Sequence, residues 1–452
     1  MKPFQKEENR IKRIFISNVL EACYRSYENL PSEQKNYWSK YDMLEGNRAL
    51  LYDGDNKAVI TYSAINKENF KEICHLAGWK NVINIYPKRY SISICLDLIS
   101  DRELNSKLVT LIKNNPGIEI IPYRHTPEFY KLIENLREKN LNFSLPETME
   151  KENRFIESYF HSKRGFRHLW EVVKDPKLAI SIPMGFITAN LEEIKQAALY
   201  FFIQGKDFLI KYNRGIQGIG IYRFNIDEIS GDRALLRKLN SILQDKIWKE
   251  GSAIVEECID VDYSILGGSP SVEMRILPNG WVVREYACEQ ILDKDGATFR
   301  GVAMNKRIEN SPMIRTAFKA AKLYGEGLSK LGYRGYFDMD LVISKDKKIY
   351  AVESNLRRTG GTHINDYAKE ILGKDYARNY YLKAYERIPR KKLTYKNVRA
   401  LLSNIYFEKG SRGGVFLSNP DFLKIGILNL IIVGQRLVEV RKIEEKLKKL
   451  GL

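Results

Sequence analysis

Cysteine is sparse and unpatterned in this chain: Cys23, Cys74, Cys95, Cys258 and Cys288 are scattered, odd in number and never spaced as Cys-x-x-Cys. That usage disfavours both a disulfide framework and a structural zinc site, and it fits the reducing cytoplasm. Long hydrophobic runs are missing too. The greasiest stretch, Ile425 to Val433, is interrupted by Gly426 and Asn429 and is too short to span a bilayer. The charged opening, Met1 to Arg13, has no apolar segment behind it. Neither secretion nor membrane insertion is expected. No internal repeat, low-complexity linker or basic-aromatic nucleic-acid module occurs, so nucleic acid is not the expected partner.

What the chain does contain is core-forming material. An apolar fraction of 44 % and an aromatic fraction of 11 % over 452 residues argue for a folded protein of two or three units. The net charge of +18 would raise encounter rates with polyanionic substrates, an acidic protein partner or nucleic acid, and it equally serves solubility. Its lysines and arginines are spread along the whole length, so no basic arm singles out a partner.

The pattern is α/β (α+β). In the first third, Arg13 to Ser17, Ala58 to Tyr62, Ser91 to Leu98 and Ile118 to Pro122 read as strands, and Thr126 to Lys139 as an amphipathic helix. The pattern changes near Leu145-Pro146 to a helical segment, Glu157 to Val173, and a second α/β region runs to about residue 375. A terminal unit follows, with a strand within Ile425 to Val433 and a closing helix, Val438 to Leu450. Boundaries are expected at 1–145, 146–375 and 376–452.

Chemistry concentrates first in a hairpin. Asp338 to Ile343 and Ile349 to Asn355 flank the polar turn Ser344 to Lys348. With Lys345 to Lys348 as a four-residue loop, Asp340 lies opposite Glu353 and Asp338 opposite Asn355. Side-chain alternation then puts these four groups on one face and Met339, Leu341, Ile343, Tyr350 and Val352 on the other. Carboxylates opposed across a sheet, with β-carbons about 5 Å apart, repel unless a cation sits between them or water hydrates them. A hard cation completed by substrate phosphates suits the first case.

A second concentration is the segment from Lys211 through Gly215, Gln217, Gly218 and Gly220, set between strands Phe208 to Lys211 and Ile221 to Phe224. Its glycines let backbone amides close on phosphate oxygens, and Lys211 can neutralise them; a plain turn is the competing reading. No Gly-Lys-Ser/Thr and no following helix is present, which excludes the P-loop and dinucleotide-binding patterns. Next comes the acidic strand Ala253 to Glu256. Exposed backbone from Glu257 to Ile259 could pair with an adenine edge and Asp262 with ribose hydroxyls, unless the segment is simply a charged strand end.

In order, Lys163, Lys211, Gly215 to Gly220, Glu256-Glu257, Asp262, Asp340 and Glu353-Ser-Asn-Leu-Arg357 resemble the ATP-grasp superfamily. Gly268-Ser-Pro-Ser-Val-Glu-Met-Arg275, Glu289-Gln290 and Glu353 to His363 resemble its pheganomycin-type peptide ligases, with Ile364 in place of that branch's proline. The resemblance implies an ATP-grasp fold over 146–375, with a glycine-loop subdomain at about 183–260, a pre-ATP-grasp domain before it and a C-terminal domain after it. It implies ATP as cosubstrate and Mg²⁺, with Mn²⁺ as a substitute, held by Asp340, Glu353 and Asn355. Lys163 and Lys211 would contact phosphates, and Glu256, Glu257, Ile259 and Asp262 the nucleoside.

The implied reaction is amide formation through an acyl phosphate, joining a small carboxylate donor to an amine, amino acid or peptide in natural-product biosynthesis. A carrier-protein-bound or polyamine acceptor is the alternative, and a homodimer is compatible. Arg357 and Arg275 are the candidate cations for the transferring phosphate and the donor carboxylate, and structural ion pairs would explain either arginine as well. His363 is the candidate proton acceptor or a positioning group, and Thr359 to Thr362 a close-approach loop over the donor.

Overall fold

Short β-branched runs separated by amphipathic stretches fold the first third of the chain into a parallel sheet. The computed structural model describes residues 10–28, 30–215, 218, 220–245, 248, 252–293, 296 and 298–452. Strands β1 (Arg13–Ile16), β2 (Lys57–Ile60), β3 (Val82–Ile85), β4 (Ile118–Pro122) and β5 (Phe143–Ser144) pair in the order β3-β2-β1-β4-β5, every pair parallel. Ile14, Ile16, Ala58, Ile60 and Ile120 pack against Phe129, Leu132, Ile133 and Leu136 of the helix Pro127–Glu138. That helix starts where Thr126 accepts a hydrogen bond from the Phe129 N–H.

One expected strand is a helix. Ser91 to Leu98 alternates like a strand, but Ser93 accepts from the Leu96 N–H and opens the helix Ile94–Ser100. Ile94, Cys95 and Leu98 then fall on one buried face, because the spacing also satisfies a 3.6-residue period. The expected helical segment from Glu157 to Val173 is likewise two helices, Arg154–Phe160 and Lys163–Val173. Ser162 caps the second by accepting from the Gly165 N–H at 3.1 Å.

After β6 (Ile180–Ser181), a four-stranded sheet forms from β7 (Gly185–Thr188), β8 (Phe208–Tyr212), β9 (Ile221–Phe224) and β10 (Ala253–Glu257), in the order β7-β10-β8-β9. Its pairings are antiparallel, with Phe201, Phe208 and Phe224 in its core.

The remaining strands join one sheet with β6: β11 (Pro270–Ile276), β12 (Val282–Leu292), β13 (Phe299–Met304), β14 (Gly335–Ile343), β15 (Ile349–Glu353), β16 (Tyr381–Arg387), β17 (Gly413–Leu417) and β18 (Leu428–Gly434). The order is β17-β18-β16-β13-β12-β11-β14-β15-β6. The segment after residue 375 therefore extends the central sheet through β16 rather than forming a sheet of its own. Its core is continuous with Tyr286, Val302 and Tyr367. The helix Pro312–Lys330 covers β11 and β14 with Ala317, Ala321, Tyr324 and Leu328.

The β14–β15 hairpin departs from the expected register in an instructive way. Ile343 pairs with Ile349, Val342 with Tyr350 and Leu341 with Ala351, one residue off the four-residue-loop arithmetic. A bulge at Val352 then restores the offset, so Asp340 faces Glu353 after all. The buried face accordingly holds Ile349 and Ala351 with Met339, Leu341 and Ile343, whereas Tyr350 and Val352 stay partly exposed. No helix among the described residues is long and apolar enough to cross a membrane, and all five cysteines are free.

Candidate active site

Polar groups gather where the β14–β15 hairpin meets the start of the helix Lys163–Val173. Lys163 is that helix's first residue, and its ammonium lies 2.8 Å from Glu353 Oε2 while donating to the Gly215 carbonyl at 3.2 Å. The glycine hairpin is tied to the same helix, since Asn213 accepts the Lys163 N–H through its carbonyl and the Arg164 N–H through Oδ1. Gly218 and Gly220 have φ of +81° and +79°, which side-chain-bearing residues rarely adopt. Gln217 lies outside the described residues.

Asp340 accepts from Gln290 Nε2 at 2.6 Å. Burial, then the neighbouring charge of Glu353, pushes the Asp340 carboxyl up to about 7. Glu353 moves the other way: burial raises it, but Lys163, Lys211 and Arg357 together hold it below the ordinary carboxylate value. The Asn355 N–H donates to Asp338 Oδ1 at 2.6 Å, and the amide nitrogen reaches Asp338 Oδ2 (3.2 Å) and Asp340 Oδ2 (3.4 Å). The amide oxygen accepts from Arg357 at 3.2 Å. β15 ends at Glu353, so Arg357 reaches Asn355 from an irregular segment, with its guanidinium 5.6 Å from the Tyr123 ring centroid.

Whether this set suits a divalent cation is a matter of donor chemistry. No group of three or more His, Cys, Asp or Glu side chains among the described residues could hold a metal ion. Magnesium, however, needs only one or two carboxylates when phosphate oxygens complete its shell. Asp340 and Glu353 supply those two, with unlike protonation tendencies at close quarters. The residues fit a cation shared with a polyphosphate.

Other expected site residues are placed differently. The Glu256 side chain is buried and bound by Lys211 (2.5 Å) and Arg167. The backbone expected to be open at Glu257 is engaged: Glu257 N–H donates to Met184 O (2.9 Å) and Cys258 N–H to Asp207 O (2.8 Å). These bonds arise because β7 and β8 flank β10 on both sides, which the strand's own sequence does not reveal. No hydrogen bond is seen from the Ile259 N–H among the described residues. Asp262 Oδ1 accepts from the backbone and hydroxyl of Ser264 (2.9 and 2.6 Å), closing its own turn.

Arg275 pairs with Glu285 at 2.8 Å, and Glu285 also takes Lys369, so this arginine sits in an ion-pair network. His363 is buried in the first turn of the helix Thr362–Leu372, its Nδ1 without a hydrogen bond, and it does not line the cavity described below. The Thr359 to Thr362 loop closes on protein: a β-carbon on Gly360 would lie 2.5 Å from the Phe299 ring, and one on Gly361 would strike the Tyr286 hydroxyl.

A cavity of about 450 Å³ opens beside Lys163, Gly215, Glu353 and Asn355 and extends to the carboxyl ends of β1 and β4. Behind the lining residues Glu21 and Arg124 lies Asn18, its Oδ1 accepting from the Tyr123 and Arg124 N–H groups and its Nδ2 donating to Glu21 and to the Arg124 carbonyl. Arg124 is paired with Glu157 at 2.5 Å. Sequence reasoning missed His161 and gave no role to two residues of its motifs, Gln290 and Arg358. Gln290 touches Asp340; His161 lines the cavity; Arg358, buried, makes a two-pronged bond to Glu147 (2.5 and 2.8 Å) that ties the hairpin to the segment after the first sheet. The only signal for His161 was its position two residues before Lys163.

No protein-family model matches the chain. An L-propargylglycine–L-glutamate ligase from Streptantibioticus cattleyicolor is 35 % identical over 125 residues, 27 % of this chain and 24 % of that protein. The match thus spans about a quarter of that relative's length. Among solved structures, a biotin carboxylase–β,γ-ATP complex from Campylobacter jejuni superposes with a TM-score of 0.56 at 13 % identity, covering 98 % of this chain and 92 % of that one. An N5-carboxyaminoimidazole synthase from Aspergillus clavatus, in complex with ADP and its ribonucleotide, gives 0.54 at 10 % identity, covering 98 % and 99 %. A biotin carboxylase domain dimer from Hydrogenobacter thermophilus, holding MgADP, gives 0.54 at 12 % identity over 97 % and 89 %. At such identities the likeness is one of fold.

Proposed function

We propose that this chain, which has the ATP-grasp fold of those enzymes, is an ADP-forming ligase that joins a carboxylate, of amino-acid type, to an amine. The observation that carries the reading is the cluster of Lys163, Glu353 and Asn355 at one edge of an open cavity, with Asp340 and Arg357 hydrogen-bonded directly to Asn355 behind them. The similarity of 125 residues to an enzyme named for joining L-propargylglycine and L-glutamate supports the substrate class.

Phosphoryl transfer asks little covalent help of a protein; alignment and charge neutralisation dominate. Lys163 and Lys211 approach from the helix start and from β8, and each is held ready by a carboxylate, Glu353 or Glu256, that phosphate oxygens can relieve. Gly215, at the start of the glycine segment, accepts from the Lys163 ammonium. Arg357, anchored on Asn355, is placed for the developing charge on the transferring phosphate or on the acyl phosphate. A bound Mg²⁺, held by Asp340 and Glu353 with the Asn355 side chain beside them, would neutralise phosphate oxygens. The cavity wall at Arg124 and Glu157 lies beside this edge and would receive the second substrate.

The test is a mass-spectrometric screen of amino acids and short peptides with ATP and Mg²⁺. The expected outcome is ADP release together with an amide-mass product, and Asp340→Asn is expected to lose product by a factor on the order of 100 or more. AMP as the nucleotide product would overturn the acyl-phosphate route. Undiminished product in Asp340→Asn would overturn the assigned metal site.

A further inference from the structure

His161 is one of the cavity-lining residues that the ligase chemistry outlined above does not use. It sits in the break between the helices Arg154–Phe160 and Lys163–Val173, two residues from Lys163. Its Nδ1 accepts a hydrogen bond from the Leu356 N–H at 3.0 Å, immediately after Asn355 in the chain. A backbone N–H can only donate, so Nδ1 carries no proton, and in the neutral ring the proton must lie on Nε2. Nε2 has no partner among the described residues and is not sealed from solvent.

The surroundings favour that neutral ring. Burial first, then the positive charges of Arg124, Arg357, Lys163 and Arg214, hold the imidazole well below its ordinary pKa. Of the nearby carboxylates, Glu157, one helical turn before His161 in the chain, is committed to Arg124, and Glu353 to Lys163. His161 is thus a fixed donor with no spare capacity to accept a proton.

We propose that His161 is a further catalytic residue, donating a hydrogen bond from Nε2 to the carboxyl oxygen of the activated acid that does not attack phosphorus. This rests on the ligase reading. In the first step a carboxylate oxygen forms a bond to the γ-phosphorus, and the bond from that phosphorus to the bridging oxygen of ADP breaks. The second carboxyl oxygen, which becomes the acyl carbonyl, stays on the Nε2–H. In the second step the amine nitrogen bonds to the carbonyl carbon, negative charge gathers on the held oxygen, and the bond to phosphate breaks. The proton shed by the amine leaves on the departing phosphate, not on His161, whose Nδ1 remains bound to Leu356.

Two substitutions separate this role from a structural one. In His161→Asn the amide oxygen can still accept from Leu356, but the cavity donor is gone; in His161→Gln the amide nitrogen reaches the Nε2 position, but the Leu356 contact is lost. The donor role predicts that kcat falls on the order of 100-fold in the Asn variant, with the KM for ATP little changed, while Gln retains activity within about tenfold of wild type. Reversal of that order, or equal losses in both, overturns the proposal. An independent arm is ¹⁵N NMR of histidine-labelled protein: the Nε2–H tautomer of His161 at neutral pH is expected, and an imidazolium or Nδ1–H ring overturns it. If instead wild type binds Mg²⁺-ATP yet forms no ADP with any acid, the ligase reading itself fails and this role falls with it. An active wild type with the wrong variant order rejects His161 alone.

Discussion

At the scale of single residues, the sequence was most informative where chemistry needs a type and a spacing, and least where it needs a contact. Alternation along the hairpin led to the grouping of Asp340, Glu353 and Asn355, and the structure does bring them together, though through a bulge at Val352 and an irregular segment after β15 rather than unbroken alternation. Glu256 was not legible, because its partners Lys211 and Arg167 come from other elements that the strand's own pattern does not mention. Glu273 is a similar case. It is fully buried in β11, and its Oε1 accepts from the Thr359 N–H (3.2 Å) and from the hydroxyls of Thr359 and Thr362 (2.8 Å each). Burial above all pushes its carboxyl up to about 8. An unfolded Glu titrates near about 4.3, so between those values the folded chain holds a proton that the unfolded chain has released. Stability from this group is therefore fully present below the unfolded value and is lost as pH rises through about 8. Glu273→Gln is expected to flatten the decline of thermal midpoint with pH over that window; an unchanged slope in melts across the range would contradict the assignment.

At the scale of elements, the hairpin arithmetic reached the right pairing by a path the structure corrects. The turn is one residue longer than expected, and the bulge at Val352 returns Asp340 to Glu353. Bulges leave little trace in a sequence, since they are set by which neighbours the core accepts, here Ile349 and Ala351. The misread strand at Ser91 to Leu98 has the same origin: a short apolar pattern fits both periods, and the Ser93 cap decides. The Arg357 to Thr362 loop is governed by close packing. Gly360→Ala would press a methyl group on Phe299, which is expected to cost about 1–3 kcal/mol in denaturant unfolding. Trimming the ring with Phe299→Leu should recover part of that loss; no cost in the single variant would mean that the loop moves freely.

At the scale of the whole molecule, three sheets meet around one cavity, and a few buried pairs set their relation. The Arg358–Glu147 pair is the clearest, with Arg358 also lying 4.3 Å from the Tyr336 ring centroid and 5.5 Å from that of Phe15 in the first sheet. Replacing Glu147 with Gln would leave the guanidinium buried without its counter-charge. A loss of about 3–5 kcal/mol in equilibrium unfolding is expected, against little for a surface pair. Shifts in pattern led to boundaries near residues 145 and 375, but did not reveal that the last strands extend the central sheet, because sheet order depends on long-range pairing. The row of lysines, carboxylates and arginine beside the cavity is read as machinery for making an acyl phosphate. The most direct measurement supplies the donor acid with ¹⁸O in both carboxyl oxygens and follows the label by ³¹P NMR or mass spectrometry. The account predicts that one labelled oxygen appears in inorganic phosphate alongside ADP; label in AMP, or phosphate free of label while amide accumulates, would contradict it.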